Sequence, residues 1–140
     1  MNVLIVGFGV AGKHYFKILK KNKKIKKIYV FDKYKIKKDK HITQIDFNIN
    51  LIKELNIKFA FISTPSNLHF KYSKILLQNS INLLIEKPFV LKLSDAKILI
   101  NLNKNKKVKC WVAFQNRFNL AIQKLKKTVN KKVLGNIFLV

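Results

Sequence analysis

The stretch Val3-Leu4-Ile5-Val6-Gly7-Phe8-Gly9-Val10-Ala11-Gly12 decides how the rest of the chain is read. Val3 to Val6 is a continuous apolar run without alternation, which reads as a strand buried on both faces in a parallel sheet. The hexapeptide Gly7 to Gly12 then has G-x-G-x-x-G spacing, and the residues from Ala11 to Lys21 carry helical spacing, with Ala11, Tyr15, Ile18 and Leu19 on one side. Asp32 follows Gly12 by twenty positions, at the end of a second short apolar run, Ile28 to Phe31. A strand, this turn, a helix and an acid at that distance form the pattern of a dinucleotide site. Gly7 permits the tight turn, Gly9 lets a pyrophosphate approach the backbone, and Gly12 lets the helix pack on the strands. The free amides at the helix start face the phosphates. The chain has four glycines, and three of them fall in this hexapeptide.

Asp32 would accept hydrogen bonds from the adenosine ribose hydroxyls, and its charge repels a 2′-phosphate, which favours NAD. Lys33 and Lys35 lie beside it with the opposite charge and keep NADP open. Further along, Phe59 to Ile62, Leu83 to Ile85 and Val108 to Phe114 read as strands. They alternate with helical segments at Leu51 to Leu55, Leu68 to Leu77, Ser94 to Leu102 (with Ser94 as N-cap) and Leu120 to Val129. The polar, lysine-rich stretch from Lys33 to Asn50 gives only a weak signal. This alternation predicts an α/β fold: a Rossmann-type, doubly wound parallel sheet with helices on both faces.

Three further clusters each follow the carboxyl end of a predicted strand: Thr64-Pro65, Glu86-Lys87-Pro88 and Gln115-Asn116-Arg117. In an open parallel sheet that edge is the ligand crevice. Pro65 and Pro88 restrict the residues before them and so shape the strand exits. Lys87 lies between an acid and a proline at such an exit, and an amine there can polarise a substrate oxygen or hold the nicotinamide ribose; an ordinary exposed lysine is the alternative. His69, one turn into a helix, reads by itself as structural. Cys110 and Trp111 lie in an apolar strand and read as core. His14 and His41 carry no pattern, and no metal-ligand cluster is visible.

At 140 residues the chain is one domain by size, and 49% hydrophobic residues argue against disorder. No apolar run reaches the ~18 residues of a membrane span. The N-terminus lacks a basic leader and there is a single cysteine, so a cytoplasmic protein is the default. The net charge of +24 is almost entirely lysine, with Arg117 the one arginine. Readers of nucleic acid rely on arginine forks. The excess of lysine, asparagine and isoleucine reads as coding bias, and any nucleic-acid binding as non-specific.

Taken together, Gly7 to Gly12, Asp32, Ser63-Thr64-Pro65 with His69, Glu86-Lys87-Pro88 and Phe114-Gln115-Asn116-Arg117-Phe118 make the chain resemble the N-terminal cofactor domain of the Gfo/Idh/MocA oxidoreductases. The resemblance implies NAD(P)-dependent oxidation or reduction of a sugar, polyol or nucleotide-sugar hydroxyl. It implies that Gly7, Phe8, Gly9, Val10, Ala11 and Gly12 hold the pyrophosphate and Asp32 the ribose. Thr64, Pro65 and His69 would line the cofactor side, and Glu86 and Lys87 would lie near the nicotinamide, with Lys87 assisting at the substrate hydroxyl. Arg117 would mark the passage to a substrate domain. Where a histidine is common, three positions after the last glycine, this chain has Tyr15.

Such enzymes continue into an α/β domain that shapes the substrate pocket. Residues 1–134 would form the dinucleotide-binding domain and 135–140 the start of a truncated second one, with Ile137 to Val140 as its first strand. The expectation is an isolated chain that binds cofactor with little or no turnover, and that needs a partner chain carrying the missing domain to act on a sugar-like substrate. Two other readings stay open: a non-catalytic nucleotide- or nucleic-acid-binding Rossmann protein, and a truncated, non-functional reading frame.

Overall fold

The computed structural model describes residues 1–106 and 108–136. The strands β1 (Asn2–Val6), β2 (Lys27–Phe31), β3 (Ile42–Gln44), β4 (Ile57–Ile62), β5 (Asn82–Ile85) and β6 (Cys110–Val112) form one sheet in the order β3-β2-β1-β4-β5-β6. Every pairing is parallel. The helices are α1 (Val10–Leu19), α2 (Ile49–Glu54), α3 (His69–Gln78), α4 (Leu93–Lys106) and α5 (Leu120–Asn130). The chain winds outward from β1 on one side and from β4 on the other, so the order reverses between these two strands. That is where an open α/β sheet leaves its crevice. The register keeps the strand ends level: Val6 lies beside Phe31 and Ile62, Ile62 beside Ile85, and Ile85 beside Val112. All these exits therefore share one rim.

The unbroken apolar runs follow from burial on both faces. Leu4, Val6, Ala60, Ile62, Leu83 and Ile85 point to one side, under Ile52 of α2, Tyr72 and Leu76 of α3, and Leu99 of α4. Val3, Ile5, Ile28 and Val30 point to the other, under Phe16 and Leu19 of α1. Each such side chain, removed fully from water, contributes about 1.5–3 kcal/mol.

Several details differ from the sequence reading. The weak region between Lys33 and Asn50 contains β3, an edge strand of three residues, too short to show a period. After it, the Asn48 side chain accepts hydrogen bonds from the Asn50 and Leu51 N–H groups and starts α2. Helix α4 begins at Leu93, so Ser94 lies inside its first turn instead of capping it. Helix α1 buries Gly12, Phe16 and Leu19, while Ile18 is 54% exposed. Of the expected side, Leu19 is buried and Ala11 and Tyr15 are half-buried, and only Ile18 is turned to solvent, while Gly12 sits against the β1 exit.

Trp111 is not core: it is 47% exposed and stacks on Phe59, with ring centroids 5.9 Å apart. The physical reason is that, among the described residues, α1 is the one helix in the core cluster on that face. Beside α1, over β5 and β6, the sheet is left with a hollow of about 450 Å³ whose walls include Ile18, Leu84, Trp111 and Phe118. Helix α5 packs chiefly on the short 3-10 turn Gln115–Phe118 and exposes Leu120 and Leu125. No helix among the described residues is long and apolar enough to cross a membrane. The expected strand at Ile137 to Val140 lies outside the described residues.

Candidate dinucleotide site

The three glycines of the first turn answer to different requirements. Gly7 has φ +92°, and a Cβ there would meet the Ser63 carbonyl and the Thr64 nitrogen at 2.7 Å. A Cβ on Gly12 would strike the Gly7 carbonyl oxygen. These two positions are glycine because the fold admits nothing larger. Gly9 is different. Its φ of −70° suits any residue, and a Cβ there would meet nothing within 4 Å. Nothing in the protein's own packing demands glycine at this position. Its bare backbone faces open space at the N-cap of α1, and neither a side-chain cap nor an acid in the first turn occupies the helix's free N–H groups. Half-buried Ala11 and exposed Val10 belong to that same first turn. This combination fits the approach of a diphosphate.

Asp32 closes one side of the turn. Its Oδ2 accepts a hydrogen bond from the Phe8 N–H at 2.6 Å, and its Oδ1 accepts one from the Tyr34 N–H at 2.9 Å. The carboxylate is thus aimed by the backbone, and its remaining lone pairs are free to accept ribose hydroxyls. A cavity of about 340 Å³ opens there, lined by Gly9, Asp32, Lys33, Tyr34, Thr64 and Pro65 among others. The Lys33 ammonium lies 4.6 Å from the centre of the Tyr34 ring at its edge. The Thr64 hydroxyl is buried beside the cavity without a hydrogen-bond partner. An open backbone, unused helix donors, an aimed carboxylate and a hollow of this size suit the adenosine diphosphate part of NAD.

The other exits are joined to the turn laterally. The Ser63 N–H donates to the Val6 oxygen at 2.8 Å, and the Ser63 hydroxyl to the Gly7 oxygen at 2.8 Å. The Glu86 N–H donates to the Ile62 oxygen at 2.9 Å. Glu86 also receives the Tyr15 hydroxyl at 2.5 Å, across from α1. Burial, this hydrogen bond and the carboxylate's charge, in that order, hold the Tyr15 phenol above its ordinary range. Lys87 follows at the same rim, exposed, with its N–H donating to Glu86 Oε2 at 3.2 Å and a cis peptide bond to Pro88.

His69 does not reach either cavity. It is 1% exposed, and its ring nitrogens lie 2.8 Å from the Pro88 oxygen and 2.9 Å from the Thr64 oxygen. It ties the β4 exit to the β5 exit. The Arg117 guanidinium lies over the Phe114 ring at 5.1 Å, in the turn beyond β6. The sequence placed Phe8 in the turn, Ser63 at the β4 exit and Tyr15 on a helix face, but it did not show Tyr34 as a partner of Asp32 or Glu86 as the partner of Tyr15. Helical spacing one turn beyond Gly12 was the available sign for Tyr15.

Residues 1–114 match the oxidoreductase family Gfo/Idh/MocA, described as an NAD-binding Rossmann fold. The chain belongs to the Gfo/Idh/MocA family. It is this family's Rossmann cofactor domain, with the expected parallel sheet flanked by helices. Among curated relatives, the uncharacterized oxidoreductase YhhX of Escherichia coli K12 is 33% identical over 98 residues, covering 68% of this chain and 28% of the relative.

Among solved structures, scyllo-inositol dehydrogenase of Lactobacillus casei, with bound NAD(H) and scyllo-inositol, superposes with TM-score 0.83 at 21% identity, over 98% of this chain and 43% of that one. The WlbA dehydrogenase of Bordetella pertussis, in complex with NADH and UDP-GlcNAcA, gives 0.82 at 19% identity, over 99% of this chain and 42% of that one. At these identities the likeness is one of fold. The chain spans less than half the length of each of these proteins.

Proposed function

We propose that this chain binds NAD across the strand exits and, joined to a substrate-binding domain, serves hydride transfer at the hydroxyl carbon of a sugar, polyol or nucleotide sugar. The observation that carries the proposal is Gly9: a glycine that packing does not require, facing open space at the start of α1. In this reading the α1 amides and Gly7 to Gly12 hold the diphosphate, and Asp32 takes the adenosine ribose. Thr64 and Pro65 wall the adenosine side, while His69 holds their strand exit in place. NAD is favoured over NADP because the Asp32 carboxylate occupies the 2′ position's neighbourhood, although Lys33 gives a 2′-phosphate one opposing charge.

NAD, when bound, supplies the hydride acceptor. Glu86 and Lys87 lie on the far side of the switch point from Asp32, where the second nucleotide of a dinucleotide falls. Lys87, exposed there, would donate a hydrogen bond to the substrate hydroxyl oxygen and stabilise negative charge on it as the carbon gives up hydride. A proton acceptor and a pocket for the remainder of the substrate would come from a further domain, on this polypeptide beyond residue 134 or on a partner chain. Residues 1–134 alone then bind cofactor with little or no turnover. The crystal structures with an inositol and a nucleotide sugar support that substrate class. A cytoplasmic setting suits a lone unpaired cysteine. Polyanion binding through the lysine-rich surface would be non-specific and lost at physiological salt.

Titrating NADH into the purified chain and following its fluorescence tests the proposal. Saturable binding, abolished by Gly9→Arg, is the expected result. No saturable binding, with Gly9→Arg indistinguishable from the unaltered chain, would end it.

A further inference from the structure

Tyr15 and Glu86 are 71 positions apart in sequence and joined by the 2.5 Å hydrogen bond. Both oxygens of the carboxylate are engaged: Oε1 accepts from the Tyr15 hydroxyl and Oε2 from the Lys87 N–H. We propose that Tyr15 is a positioning residue for the Glu-Lys-Pro corner, holding Glu86 so that Glu86 in turn sets where Lys87 leaves the sheet. The proposal rests on the dinucleotide reading above and adds a residue to it.

Three observations support this chain of contacts. The phenol cannot swing freely, because the Tyr15 ring packs on Phe61 with centroids 5.1 Å apart and its backbone belongs to α1. The bond lies in a half-buried place, where a hydrogen bond to a charged acceptor is stronger than in water. The phenol also remains protonated well beyond physiological pH, so it donates throughout that range. The consequence is a division of roles. Glu86 has its charge directed into the fold by two donors and serves as an anchor, which leaves the Lys87 amine as the group at that exit free to meet a ligand. Through Tyr15, the helix that opens on the diphosphate and the corner that faces the second nucleotide become one unit.

The test compares the unaltered chain with Tyr15→Phe, Glu86→Ala and the double variant. For each, affinities for NADH and for ADP-ribose are measured, and the Lys87 amide is followed by NMR. Tyr15→Phe is expected to weaken NADH by about 3–10-fold, less than the full worth of a hydrogen bond to a charged group because the effect reaches the ligand only through Glu86 and Lys87, and ADP-ribose by less than about twofold. It should also shift the Lys87 amide signal and speed its exchange while leaving the Phe8 amide unchanged. In the Glu86→Ala background, Tyr15→Phe should do nothing more, because the effect passes through the carboxylate. Equal effects on both ligands, additive effects in the double variant, or an unmoved Lys87 amide would overturn the proposal. If the unaltered chain bound neither ligand, the dinucleotide reading would fail, and the Lys87 amide would by itself still decide the clamp.

Discussion

Asp32 Oδ2 and the Phe8 N–H are joined by a 2.6 Å hydrogen bond, so the acid that closes β2 also grips the turn that closes β1. One side chain thereby couples the turn proposed to hold the diphosphate to the carboxylate proposed to take the ribose.

Asp32→Ala removes the acceptors of two backbone N–H groups, those of Phe8 and Tyr34. Charge-assisted bonds contribute about 1.5–3 kcal/mol each, so NADH affinity should fall at least tenfold. Asp32→Asn retains an acceptor but no charge. It should weaken NADH less and raise the NADPH-to-NADH affinity ratio, which parallel fluorescence titrations would measure.

Gly7 and Gly9 should separate cleanly by thermal unfolding and NADH titration. Gly7→Ala forces a side chain into φ +92° and into Ser63, and should destabilise by at least about 1–3 kcal/mol. Gly9→Ser places a good N-cap residue at a permissive φ, and should leave stability equal or raise it by up to about 1 kcal/mol. It should nevertheless weaken NADH at least tenfold, because the new side chain occupies the ligand's approach. Parallel loss of stability and binding in both variants would contradict this division.

Replacing His69 by Leu strands whichever of the Thr64 and Pro88 carbonyl oxygens takes the single N–H of the neutral ring, in a fully buried place. One unpaired acceptor costs about 1–3 kcal/mol, so urea unfolding should show a loss of about that size at an unchanged slope. The defect should appear first in stability, since the imidazole touches neither cavity.

Burial raises the Cys110 thiol from its ordinary 9.0 to about 11 and pushes the Tyr15 phenol up as well. Both groups hold their protons more tightly folded than unfolded. Their contribution is therefore complete below about pH 9 and is lost as the pH rises toward the folded values. Stability should decline from about pH 9 upward, and Cys110 should react slowly with a thiol reagent at pH 8. A stability curve flat from pH 8 to 11 would refute the assignment.

The Trp111 indole, half-exposed beside the hollow that Glu86 and Tyr15 also line, offers a direct optical signal. Its emission overlaps NADH absorption, so binding should quench it with the same midpoint as the NADH titration.

Much of this protein was legible from its residues in order. The run Val3 to Val6, the glycine spacing, Asp32 and the two prolines at strand exits report local requirements: burial on both faces, tight turns and missing donors. Such requirements act over a few positions, so the parallel fold and the rim where ligands gather could be read without coordinates. β3 escaped because three residues hold no period, and Trp111 was misplaced because nothing local shows that, among the described residues, α1 stops short of covering β5 and β6 on that face. Only the tertiary structure decided that Ile18 of α1 turns to solvent and what meets across the rim. The Asp32–Phe8, His69–Pro88 and Tyr15–Glu86 contacts join positions 24, 19 and 71 residues apart. They exist because the strand order sets those exits side by side and because Gly12, pressed against Gly7, fixes the rotation that carries Tyr15 to Glu86.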